Sequence, residues 1–270
     1  FKNIIISMTL KNELEKNGVI LVKNAWDKSE IANVSKEYDY LDETLTNKEI
    51  IKDKPIIVFW KHVVGEQKRI CTFDQFPSLW KFINEKIVPK VRQILGDNEA
   101  YLQLLETIVF NKPYETSNTL HWHQDVAYFP LKPNNQIAIW FPLDAVDKEA
   151  GALNYAIGSH KEGIKGSTDL HTRKPFDNEN RDLIPMDPEK EGYEVKCMEM
   201  DNTDMVCHNG YTWHYSGPNK KPNYIRKGFS VRFITEKAVF DPRPGQGAAF
   251  TKQLNLNSGD KFEGAPFPVL

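Results

Sequence analysis

The chain has 270 residues, 40% of them hydrophobic and 11% aromatic, enough to bury a sizeable core. A balance of 35 basic against 37 acidic residues gives a formal charge of −2, without the basic surplus of a general nucleic-acid binder. No apolar run approaches the ~20 residues that span a bilayer, and Cys71, Cys197 and Cys207 lack CxxC spacing, the usage of a reduced cytoplasmic protein.

FKNIIIS at the start is too short for a signal-peptide core, and Met8 is read as a candidate start, with residues 1–7 outside the natural chain. TLKNELEKNG predicts a short helix stopped at Asn17-Gly18, followed by the strand VILVKN. Asp27-Lys-Ser-Glu30 is a capping-box pattern opening a helix to about residue 40. In residues 78–96, Leu79, Phe82, Ile83, Ile87, Val91 and Ile94 recur at helical spacing; Pro89 predicts a kink and Gly96 a stop.

From residue 101 strand-like runs follow one another: LQLLETIVF, QIAIWFPLD, GALNYAI, YEVKCME, DMVCH and GFSVRFI, separated by Gly, Pro, Asn and Asp. Many short strands with turn punctuation predict a sandwich, barrel or jelly roll with helices outside it. The polar, aperiodic segment 161–192 is expected to form a lid-like loop. The expectation is one domain over 1–270: a helix-rich part to residue 100 packing on a 101–240 core, and a tail over 241–270.

LHWHQDVAYFP (120–130) sets polar groups among aromatics, a costly burial unless something pairs with them. On a strand, His123 and Asp125 point to one face and offer an imidazole nitrogen and a carboxylate oxygen to one ion. A later histidine would complete the 2-His-1-carboxylate triad of non-haem Fe(II) oxygenases. The motif is weak alone, since roughly one His-x-acid match arises by chance, and His160-Lys-Glu162 is a second that reads as a surface turn. His171 lies in the polar loop; His208 and His214 flank NGYTW, and spacing leaves these two in equal standing. On RKGFSVRFITE, Lys227, Phe229, Val231 and Phe233 share one face, and Arg226, Gly228, Ser230 and Arg232 the other. Arg226 beside small residues suits a carboxylate; the plainer reading is an exposed strand start.

Together these pieces resemble the phytanoyl-CoA dioxygenase family of Fe(II)/2-oxoglutarate oxygenases. The resemblance rests on NKPYETSNTLHWHQD (111–125), IAIWFPLDAVDKEAGALNYAIGSHKEG (137–163), MDNTDMVCHNGYTWHYSGPNKKPNYIRKGFSVRF (200–233) and the C-terminal PFPVL, in order across most of the chain. It implies a double-stranded β-helix (jelly-roll, cupin-like) core, mainly β with flanking helices. It implies His214 of HYSGPN as the distal ligand beside His123 and Asp125, with His208 a neighbour. Ser216 and Arg226 match the family positions that hold the far carboxylate of 2-oxoglutarate, and Lys112 and Trp140 join them as cofactor-side candidates. Two positions depart from the pattern: MDNTD lacks the family's Gly before Asp, and Tyr215 replaces a small residue. Asp125 stands where related halogenases have Gly or Ala, which points to hydroxylation or a related oxidation.

The cofactors implied are Fe(II), 2-oxoglutarate and O2, with release of succinate and CO2. Phe129, Trp122 and Trp140 are candidate walls of the site. Candidate substrate contacts are Glu106, Tyr128 (if a turn returns its hydroxyl to the site), Tyr215 and Arg173; Lys61, His62, Lys68, Arg69 and Lys174 are candidate anion contacts, and Trp60, Tyr128, Tyr211 and Trp213 a candidate aromatic cage. The expected substrate is a small polar or zwitterionic metabolite. No nucleic-acid or membrane partner is expected, and oligomeric state is not legible. The competing classes are a zinc hydrolase using the same His/Asp/His cluster and a non-catalytic jelly-roll binding module.

Overall fold

The capping box read at Asp27 forms: its backbone N–H donates to Glu30 Oε2 at 2.9 Å, opening a helix longer than expected. The computed structural model describes residues 2–63, 67–114, 119–242 and 256–270, with the side chains of 2–8 outside that description. Its long helices are α1 (Lys2–Asn17), α2 (Lys28–Thr44), α3 (Pro77–Phe82) and α4 (Val88–Leu95). Helix α1 runs through Met8, earlier than TLKNELEKNG predicts. Between α3 and α4 residues 83–87 make a π-helical turn. Pro89 supplies no N–H and its ring presses on the carbonyl four residues back, so the helix widens there instead of breaking. Gly96, at φ 71°, ends it.

The strands, in chain order, are β1 (Val19–Val22), β2 (Ile56–Lys61), β3 (Gln67–Thr72), β4 (Gln103–Lys112), β5 (Leu120–His123), β6 (Leu131–Lys132), β7 (Gln136–Pro142), β8 (Leu153–Ala156), β9 (Val195–Met198), β10 (Met205–Asn209), β11 (His214–Ser216), β12 (Arg226–Ile234) and β13 (Val239–Phe240). They form a seven-stranded sheet, β1-β10-β7-β12-β4-β2-β3, and a four-stranded sheet, β5-β11-β8-β9, with β13 and β6 paired separately. The fold is the mainly β, double-stranded β-helix architecture implied above. One boundary is corrected: β1, β2 and β3 are strands of the large sheet, so the first hundred residues do more than pack helices against it. IIVFW is apolar without alternation, so no sequence period announces the β2–β3 pair.

Alternation along β12 separates two layers. Phe229, Val231 and Phe233 enter the core between sheet and helices, with Tyr38, Phe59, Phe76 and Phe141. Arg226, Ser230 and Arg232 are buried on the opposite face, toward the small sheet. A second core, with Phe110, Leu120, Trp140 and Tyr155, lies between the sheets. Residues 243–255 of the expected tail lie outside the described residues; beyond them Phe262 and Phe267 are buried, and the Leu270 N–H donates to the Leu102 carbonyl at 2.9 Å.

Candidate active site

Strands β5 and β11 pair antiparallel with His123 directly opposite His214, and their ring centroids stand 4.1 Å apart. Between this pair and Ser216↔Leu120 the register shifts, a bulge that re-aims side chains at the strand end. The same-face expectation for Asp125 is met by a different route: β5 stops at His123, and Asp125 opens a 3-10 turn over Asp125–Tyr128. One ligand atom from each of His123, Asp125 and His214 lies within 4.8 Å of the others, and all three residues are buried.

The tautomers are set by backbone carbonyls. Nδ1–H of His123 donates to the His121 carbonyl (2.6 Å) and Nδ1–H of His214 to that of Thr212 (2.9 Å), leaving both Nε2 atoms as lone-pair donors. Burial pushes His123 down to about 4, against the pull of Asp125, and holds His214 well below the usual range, so both are neutral near pH 7. Burial works to raise the Asp125 carboxyl; Arg232 and then His208 outweigh it and hold it well below the usual carboxylate range. The Arg232 guanidinium donates to Asp125 Oδ1 at 3.0 Å, and His208 Nε2 to Oδ2 at 3.1 Å. The other His208 nitrogen meets the Tyr155 hydroxyl at 3.1 Å. Spacing could not choose between His208 and His214. The sheets do, since β10 belongs to the large sheet and supports Asp125 from behind, while β11 pairs with β5.

A second cluster lies at the start of β12. Arg226 sits opposite Lys112 on β4, and both are buried, which removes the exposed reading of Arg226. Lys112 Nζ donates to Ser216 Oγ and to the Gly217 carbonyl, each at 2.8 Å. Arg226 Nη1 lies 3.3 Å from the Gly151 carbonyl and 3.4 Å from Ser216 Oγ, and its Nε has no partner. Trp140 lies across Gly228, and the Arg226 guanidinium carbon is 5.4 Å from its ring. Neither cation has a carboxylate partner among the described residues. Burial, then Arg226, drives Lys112 well below its usual range, and burial lowers Arg226 to about 10. His62 is fully buried beside them with both ring nitrogens unpaired, pushed down to about 2 by burial and then by Lys112 and Arg226. Two buried cations satisfied only by carbonyls and a hydroxyl are what an entering carboxylate would neutralise.

A cavity of about 500 Å³ opens from His123 and Asp125. Ile50, Ile56, Val58, Ile70, Ile108, Phe110 and Leu120 give it apolar walls, and Lys68, Glu106, Asp169 and Arg232 join Asp125 as its charged members. Asp169, Leu170, His171, Thr172 and Phe176 of the 161–192 segment contribute to its lining. Tyr128 lines the cavity, returned by the 3-10 turn, and its hydroxyl donates to the Thr168 carbonyl at 2.7 Å. Glu106 lines it too, inside a central strand, with Oε2 held by Arg232 Nη1 at 2.8 Å.

Other expectations are corrected. Tyr215 and Trp122 pack on each other at 4.5 Å, away from the cavity lining. Arg173 turns to the Ile184 carbonyl (2.9 Å). Arg69 pairs with Asp42. No four-membered aromatic cage forms, since only Trp60 and Tyr128 line the cavity while Trp213 packs with Tyr193. Phe129 walls the cavity, whereas Trp140 serves the cation cluster. Alternation puts Arg232 on the inner face, but its contact with Asp125 has no local signal, since the two lie 107 residues apart.

A family model described as phytanoyl-CoA dioxygenase (PhyH) matches residues 14–228. The peroxisomal phytanoyl-CoA dioxygenase of Bos taurus is 22% identical over 253 residues, 86% of this chain and 69% of that protein. A probable phytanoyl-CoA dioxygenase of Caenorhabditis elegans is 24% identical over 169 residues, 58% of this chain and 54% of its own length. The chain thus spans about half to two thirds of these curated relatives. Among solved structures, the epimerase SnoN in complex with Fe3+, alpha-ketoglutarate and nogalamycin RO superposes with a TM-score of 0.71 at 19% identity, covering 97% of this chain and 98% of that one, a likeness of fold.

Proposed function

The chain belongs to the phytanoyl-CoA dioxygenase family of Fe(II)- and 2-oxoglutarate-dependent oxygenases, and from that premise we propose that it oxidises, by hydroxylation, a small metabolite with release of succinate and CO2. In this reading His123 and His214 through Nε2, and Asp125 through a carboxylate oxygen, hold the metal. Fe(II), when bound, supplies open coordination positions for 2-oxoglutarate and O2 and the oxidising chemistry that follows.

The chain's own side chains do the rest. Arg226, Lys112 and the Ser216 hydroxyl anchor the far carboxylate of 2-oxoglutarate, Trp140 bracing Arg226. Tyr128, Phe129 and the 161–192 segment shape the cavity and keep water from it. The observation that carries the reading is the Lys112–Arg226 pair, two buried basic side chains held by carbonyls and a hydroxyl without a carboxylate partner among the described residues. A zinc hydrolase built on the same triad gives this pair no task, and a binding module gives the neutral, carbonyl-fixed histidines none.

The expectation of a small polar or zwitterionic metabolite is revised in part. About 500 Å³ suits a small molecule, and Lys68, Glu106 and Asp169 suit a charged end. The aliphatic walls favour an apolar body attached to that end. Cytoplasmic residence is part of the proposal, supported by three free thiols of which Cys71 and Cys207 are buried; among the described residues no helix is long and apolar enough to cross a membrane.

The test needs no substrate. Metal-free protein receives Fe(II) under anaerobic conditions, and 2-oxoglutarate is titrated while the visible spectrum is followed. A weak charge-transfer band that saturates is expected, and is absent in folded His214→Ala. Iron-loaded, folded wild type that gives no band refutes the oxygenase reading.

A further inference from the structure

Resting on the metal-site reading above, we propose that Glu106 and Arg232 are positioning residues that set the site's affinity for its divalent cation. Arg232 fixes Asp125, and Glu106 cancels the charge that Arg232 would otherwise bring against the metal.

The arrangement is built by the strands. Arg232 on β12 stands directly opposite Glu106 on β4, and the register then shifts, so that Phe233 faces Leu104. Leu105 is the residue skipped, and it turns into an apolar cluster with Phe129 and Ile234. This bulge leaves Arg232 and Glu106 paired on the inner face at the level of Asp125. One guanidinium then reaches both carboxylates, Nη1 to Glu106 at 2.8 Å and Nη2 to Asp125 at 3.0 Å. With His208 on the other oxygen, both Asp125 oxygens are fixed and the carboxylate cannot rotate about its own axis. The side chains of Arg232, Glu106 and Asp125 are only 8%, 10% and 4% exposed, so solvent screens their charges little.

The charge count follows. Asp125 and Arg232 alone sum to zero, and a dication would meet a ligand whose charge is already spent. Glu106 restores −1 to the trio. Burial, with the nearby Asp125 charge, raises the Glu106 carboxyl despite Arg232, while the 2.8 Å contact with a guanidinium is the geometry of an ion pair. Glu106 therefore stabilises the metal without touching it.

The test uses Co(II) titrations of metal-free protein by calorimetry and by visible absorption, without turnover. Glu106→Gln keeps the shape and removes the charge. It is expected to weaken Co(II) binding about tenfold or more, the order of a unit charge acting across a few ångströms at an effective dielectric near 20. Adding Arg232→Met to Glu106→Gln returns the trio to −1 and is expected to recover at least about threefold of that loss, the remainder reporting the positioning that Arg232 supplies. The positioning role reads out separately. Arg232→Met alters the shape of the Co(II) ligand-field band, Arg232→Lys restores it, and Glu106→Gln leaves it unchanged. A purely structural role would lower the melting temperature and move none of these. The proposal is overturned if Glu106→Gln binds Co(II) as wild type does, or if the folded double variant is as weak as Glu106→Gln. If Arg232→Met does not fold, Glu106→Gln alone decides the charge claim. Wild type that binds no Co(II) overturns the metal-site reading beneath it, a result distinct from indifferent variants.

Discussion

Gly228 is the position where one added carbon should do most damage to the cofactor end of the site. Its backbone is ordinary strand, so alanine brings no conformational penalty. The obstacle is Trp140: an added Cβ would lie 2.3 Å from Cζ2, 2.9 Å from Cε2 and 3.1 Å from Cη2 of the indole. Carbon atoms settle at about 3.5–4.0 Å, so the ring must retreat by more than about 1 Å. Trp140 is 3% exposed and packed in the core between the sheets, so a retreat displaces its neighbours. Overpacking of this kind costs about 1–3 kcal/mol, which for a chain of this size lowers the melting temperature by roughly 2–12 °C. The ring also braces Arg226, so 2-oxoglutarate affinity should fall with it. The assay is denaturant unfolding of wild type, Gly228→Ala, Trp140→Phe and the double variant, with 2-oxoglutarate titrations of each. Phenylalanine lacks the clashing indole atoms, so the double variant should be less destabilised than the sum of the singles by about 0.5 kcal/mol or more. Gly228→Ala within about 0.5 kcal/mol of wild type, or strict additivity, would refute the reasoning.

Arg226→Met should weaken 2-oxoglutarate binding by about 30-fold or more, equivalent to at least about 2 kcal/mol for a buried charge-paired contact, while Co(II) affinity stays within about threefold; a 2-oxoglutarate titration that overlays wild type removes Arg226 from the anchor. Glu179 anchors the 161–192 segment, accepting from the Ser167 N–H and hydroxyl (each 2.8 Å) and from Arg181 Nε (2.8 Å). Burial works to raise it, yet Arg181 and the Ser167 and Arg181 backbone N–H groups pull it down to about 2. A folded pKa below the unfolded one gives stability that is present above about pH 4.5 and lost as pH falls toward 2, with an upper bound of about 3 kcal/mol. The melting-temperature gap between wild type and Glu179→Gln, measured from pH 6 to pH 2.5, should therefore narrow across that window, and a constant gap would remove the ion pair from the account.

Local patterns carried much of the fold. The alternation of β12 sorted Phe229, Val231 and Phe233 from Arg226 and Arg232 correctly, because a strand between a helical core and an inner cavity must read that way. The same logic failed at β2, whose apolar run packs on both faces and so shows no period. At the site, residue types were legible and partnerships were not. His208 and His214 are six residues apart and chemically alike; what separates them is membership of different sheets, a property of topology. The Asp125–Arg232–Glu106 chain depends on the bulge that skips Leu105, and no local signal in LLETIVF announces it. Tyr215 and Arg173 turn to Trp122 and to the Ile184 carbonyl for a related reason: short strands and loops let neighbouring side chains leave on opposite sides.

The cavity wall has a further consequence. Its metal-side surface comes from paired strands, whose register is pinned by ladders and bulges, and from the 3-10 turn that carries Asp125 and Tyr128. Five other wall residues, Asp169 to Thr172 and Phe176, come from the 161–192 segment, tied to that surface by the His121 N–H to the Leu170 carbonyl at 2.8 Å. Part of the cavity wall and the candidate metal ligands are therefore carried on separate stretches of chain. The loop can change in length or composition, and with it that part of the wall, while the strand register that places His123 and His214 stays as it is. Grafting a relative's loop between Gly163 and Gly192 is expected to reshape the cavity and leave Co(II) affinity as it is.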